Sequence, residues 1–90
     1  MDYTALENDF ECACQDVITT LKSSYKTSYS AGGAAKLEAF LNLIKTEFDT
    51  AEAKFIDTNK LTGNTEALKR VRDIAKKHAK TCLEYYARVQ

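Results

Sequence analysis

The chain has 90 residues, 13 acidic and 13 basic side chains, and no proline. That length holds one domain, residues 1–90, and the 44% hydrophobic and 29% charged fractions are those of an ordinary globular protein. No apolar run approaches the roughly twenty residues that span a bilayer, the acidic start MDYTALENDF lacks the apolar core of a secretory signal, and three unpatterned cysteines make no disulfide framework. A soluble, cytoplasmic chain is expected.

Proline breaks helix interiors and glycine weakens them, so no proline and only three glycines favour long helices. The first is predicted over residues 4–24. Thr4 and Glu7 form a capping-box pair, with Asp2 as a competing cap. Leu6, Phe10, Cys14, Val17, Leu21 and Tyr25 recur every three or four residues, making one apolar stripe. The stretch SSYKTSYSAGG then breaks the period and reads as a loop.

The second helix is predicted over 34–57, with Ala34, Leu37, Leu41, Ile44, Phe48, Ala51 and Phe55 as a heptad seam widened by Phe40 and Leu43. DTNKLTGN supplies turn residues. The third is predicted over 65–89, starting at Asn64 or Thr65, with Leu68, Val71, Ala75, His78, Cys82, Tyr85 and Val89 on its seam and Ile74 and Tyr86 beside it. Three such seams close one core, so the expected fold is all-α, an antiparallel up-down-up three-helix bundle and a monomer.

His78 and Cys82 lie four residues apart on one helical face, a spacing that can ligate a metal, and Cys14 reaches the same level if helices one and three run parallel. All three sit on apolar stripes, where cysteine behaves as a small hydrophobe, and there is no second histidine. Packing is the better account of them. A cysteine nucleophile also needs a base and an orienting group, which this narrow helical face does not supply. DTNKLTGNTE fails as a calcium loop, because Thr62 stands where glycine is required and Leu68 where a bidentate glutamate belongs. Neither catalysis nor a metal or other cofactor is expected.

Charge is distributed unevenly. Residues 1–29 carry a net −3 and residues 61–90 a net +4. Lys69, Arg72, Lys76, Lys77 and Lys80 fall off the third seam, with Arg70 beside them, and form a basic surface. Two readings compete. These bases balance the acidic first helix, or they bind an acidic protein surface or anionic headgroups. Nucleic acid is not expected, since the domain is not strongly basic and carries no recognised binding signature. Tyr25, Tyr29, Tyr85 and Tyr86 are candidate interface anchors. Glu38, Glu47, Asp49 and Glu52 read as solvated.

The aromatic and acidic opening, with Tyr3 and the ENDF step, and the second helix KLEAFLNLIKTEFDTAEAKF resemble the N-terminal three-helix (Habc-like) domains of SNARE proteins, nearest to the Vti-type Qb-SNAREs. The second helix departs from that pattern in ending AEAKFID, and the chain holds no SNARE motif and no membrane anchor. The resemblance implies an excised regulatory domain in vesicle trafficking, on the cytoplasmic face of a Golgi, endosomal or vacuolar membrane. Its implied partner is an epsin-type ENTH adaptor or a SNARE motif. Other three-helix adaptors, of MIT, GAT or tubulin-chaperone type, share the pattern, and a small metal-binding protein built on His78 and Cys82 is the remaining alternative.

Overall fold

The computed structural model describes residues 3–31 and 33–88. Helix α1 (Tyr3–Ser24) continues into a π-helical turn (Tyr25–Tyr29), followed by α2 (Gly33–Thr58) and α3 (Thr65–Ala87), with no strand among the described residues. Each helix packs against both of the others, forming a three-helix bundle of 46 × 19 × 17 Å. At about 1.5 Å per residue the longest helix spans most of that length.

One apolar core runs the length of the bundle. Phe10, Cys14 and Leu21 enter it from α1, Phe40, Ile44 and Phe48 from α2, and Ala67, Val71, Ile74, Ala75, Cys82 and Tyr86 from α3. The α2 contribution is rotated from the expected seam. Phe40, assigned to its margin, is fully buried, whereas Ala34 is exposed and Leu37, Leu41, Ala51 and Phe55 are half-buried. A helix wedged between two neighbours shows its central face to neither alone, and Phe40, Ile44 and Phe48 are the residues both neighbours cover. On α3 the two adjacent tyrosines exchange places: Tyr86 is buried, and Tyr85, expected on the seam, is 62% exposed. Val89 lies outside the described residues.

The expected loop after Ser24 is helical as far as Tyr29. Tyr25 and Tyr29 set their rings 5.0 and 5.2 Å from Phe40, and Tyr25 also packs 4.9 Å from Tyr86. Aromatic packing of the half-buried Tyr25 and Tyr29 thus overrides the loop preference of the intervening Thr27 and Ser28, which stay exposed. Gly33 then opens α2 with φ +73°, a conformation L-residues rarely adopt. At the other end α1 already begins at Tyr3, so Thr4 lies within the first turn, while Asp2 lies outside the described residues.

The turn between α2 and α3 is built by two caps. Lys60 takes φ +56°, its N–H donates to the Asp57 carbonyl at 3.2 Å, and the Leu61 N–H reaches back to the Ile56 carbonyl at 2.9 Å. This is a Schellman closure, which places an apolar residue immediately after the left-handed one. Leu61 fills that role, 1% exposed. Asn64 then caps α3, its side-chain oxygen accepting the Ala67 N–H at 3.1 Å, as the predicted start requires.

Candidate functional site

An α-helix advances about 100° per residue, so Lys69, Lys76 and Lys80 share one line along the outermost face of α3. Arg72 stands to one side of that line, and Arg70 and Lys77 stand to the other. The structure divides the six basic residues accordingly.

The flanking three are committed to neighbouring helices. Arg70 reaches Glu7 of α1 at 3.3 Å, and its Nε lies 3.2 Å from Glu66, an ion pair outside hydrogen-bond geometry. Its guanidinium also sits 4.6 Å from the Tyr3 ring centroid, a cation–π contact. Lys77 reaches Glu11 of α1 at 3.1 Å, and Arg72 reaches Glu52 of α2 at 3.5 Å. Glu52, expected to be solvated, keeps only 19% of its side chain exposed against α3. These three bases therefore balance acids on the other helices, one of the two readings of the charge pattern. Lys69, Lys76 and Lys80 are exposed and take part in no ion pair among the described residues.

His78 belongs to the same polar seam. Its Nε2 lies 2.8 Å from Glu11 Oε2, and its ring is nearly parallel to that of core residue Phe48, with centroids 6.5 Å apart. The imidazole is thus sandwiched between core and carboxylate, with 13% of its side chain exposed. Glu11 accepts from both His78 and Lys77, and these hydrogen bonds, the His78 one foremost, hold its carboxyl below the usual value. Cys14 and Cys82 are buried, and burial raises both thiols, that of Cys14 to about 11 with help from the Glu11 charge. A raised thiol is a poor nucleophile, so packing describes these cysteines well. Among the described residues no group of three or more His, Cys, Asp and Glu side chains is arranged to hold a metal ion.

Of the four tyrosines considered as anchors, Tyr25, Tyr29 and Tyr86 are tied into the aromatic cluster around Phe40, and burial pushes the Tyr86 hydroxyl up. Lys36 lies 5.8 Å from the ring centroid of Tyr29. Tyr85 alone of the four is exposed, with its ring edge-on to Tyr86 at 4.9 Å. Neither Glu7, read as a capping residue, nor Glu11 is marked in the sequence as a partner of α3; their one signal is their spacing, four apart and thus on one face of α1. No helix among the described residues is long and apolar enough to cross a membrane. Comparison with family models, curated proteins and solved structures returns no significant match.

Proposed function

We propose that the chain is a non-catalytic protein-interaction domain that docks an acidic partner on Lys69, Lys76 and Lys80. The single observation that carries this reading is the division of charge on α3. Every flanking base has a carboxylate on another helix, while the outermost three have none among the described residues. Exposed Asp73 shares that face and leaves it net positive, and exposed, unpaired charge favours an opposite surface and speeds its encounter.

In this reading the bundle is a monomer with helices running up, down and up. The order of the contacts supports that course. Glu7 and Glu11 meet Arg70 and Lys77 in ascending order, whereas Phe48 and Phe40 meet His78 and Tyr86 in descending order. The resemblance to SNARE N-terminal domains gives the partner two forms, an ENTH-type adaptor or a SNARE motif, and gives the work an endomembrane setting. Affinity capture with the wild-type chain tests the proposal once a captured protein is purified and its affinity is measured as salt rises. An acidic partner is expected to lose affinity steadily, because exposed charges are screened over about 10 Å at about 0.1 M salt. Salt-independent binding ends the proposal.

A further inference from the structure

We infer that the groove between α1 and α2 is a second docking site, and that its occupant is a partner's amphipathic helix carrying basic side chains along its flank. The groove has a volume of about 380 Å³, and α3 contributes no residue to it, so the inference stands apart from the lysine line. Its floor is apolar: Ala13 and Val17 on α1 face Ala51 and Phe55 on α2. All four are only half-buried, whereas the core residues behind them are closed off. Small side chains at Ala13 and Ala51 leave the depth, and Phe55 is held by its tilted contact with Phe10, centroids 4.9 Å apart.

This seam is built differently from the others. Ion pairs join α3 to both of its neighbours, but none joins α1 to α2 among the described residues. Charges are nevertheless present on its rim. Asp16, Glu47 and Lys54 line the groove, and none of them takes part in an ion pair there. Two acids against one base around an apolar floor leave the rim net acidic, which favours an apolar ligand with basic flanks.

The walls decide the ligand's backbone. Both are α-helices, whose peptide groups are hydrogen-bonded internally, so the groove has no sheet edge onto which an extended peptide could add. A ligand lying here must satisfy its own backbone, as a helix does. From Glu47 to Thr58 the α2 wall runs about three turns, roughly 16 Å, enough to seat side chains spaced at i, i+3 and i+7.

Two stapled helical peptides of roughly four turns test this, sharing one leucine face and differing only in lysine or glutamate flanks. Each is titrated into the isotope-labelled full chain and followed by amide shifts. The lysine-flanked peptide is expected to shift Ala13, Val17, Ala51 and Phe55 saturably and to bind about tenfold more tightly than its glutamate-flanked twin. Asp16→Lys with Glu47→Lys should invert that preference, and Ala51→Trp should block both peptides. The surface pair guards against a folding failure of the tryptophan variant. Glutamate at Lys69, Lys76 and Lys80 should change nothing, which separates this site from the lysine line. Equal affinity for the two peptides, shifts centred elsewhere, or self-association of the chain through these residues would overturn the inference.

Discussion

Leu61 shows how much one side chain can do in a turn that reads as polar. It is the C″ residue of the Schellman closure and sits in the core with 1% exposure, pinning the end of α2 to the start of α3. Leu61→Ala should cost about 2–5 kcal/mol, as large-to-small core changes do, although the residue lies outside every helix. Its neighbour Lys60 holds φ +56°, which costs an L-residue roughly 1–2 kcal/mol. Lys60→Gly should therefore stabilise the chain by about 1 kcal/mol. Chemical denaturation of the two variants checks both signs, and a destabilised Lys60→Gly would count against the turn geometry. Glu11 is the other instructive residue. Its carboxyl is held below the ordinary value by His78 and Lys77, so the unfolded chain binds more protons at Glu11 than the folded one in that range. The resulting stability is present above the ordinary glutamate pKa and fades as pH falls through the depressed folded value. The stability gap between wild type and Glu11→Gln should accordingly shrink as pH falls from above the ordinary glutamate pKa through the depressed folded one. A gap that widens in acid would refute the pairing.

The helices themselves were largely legible in the sequence, because three apolar stripes at helical spacing leave little choice of secondary structure. What could not be read is what depends on a neighbour. On α1 the stripe carried over in part: Leu6, Phe10, Cys14 and Leu21 are buried, whereas Val17 and Tyr25 are half-buried, and Ile18 beside Val17 also packs against the core. On α2, Phe40 and Leu41 are adjacent, and periodicity gave the seam to Leu41; the meeting with Tyr25, Tyr29 and Tyr86 gave it to Phe40. The same aromatic cluster kept Tyr25–Tyr29 helical in a stretch whose serines and threonine argue for a loop. Phe40→Ala should cost about 3–5 kcal/mol and weaken the helical signal beyond Ser24, whereas Leu37→Ala on the half-buried face should cost less. Equal losses in thermal unfolding would show that the cluster does not organise this end of the bundle. Capping was partly legible too. Asn64 was a foreseeable cap, but its additional bond from the Tyr3 hydroxyl, 3.4 Å away, links residues 61 positions apart and has no local signature.

Across the whole molecule, the acidic first helix and the basic third helix posed two alternatives in the sequence, internal balance or partner binding. The structure assigns the flanking bases Arg70, Arg72 and Lys77 to internal balance and leaves Lys69, Lys76 and Lys80 outside it. Composition could count these charges, but only the packing of α3 between two helices separates the lines they occupy. Exposed ion pairs contribute about 0–1 kcal/mol each, so the flanking set adjusts stability while the core supplies it. The most direct measurement compares two triple variants, recording melting temperature and partner affinity on the same samples. Glutamate at Lys69, Lys76 and Lys80 should abolish partner binding and leave the melting temperature nearly unchanged. Glutamate at Arg70, Arg72 and Lys77 should lower the melting temperature by setting like charges against Glu7, Glu52 and Glu11. A lysine-line variant that melts lower yet keeps its partner would contradict the account.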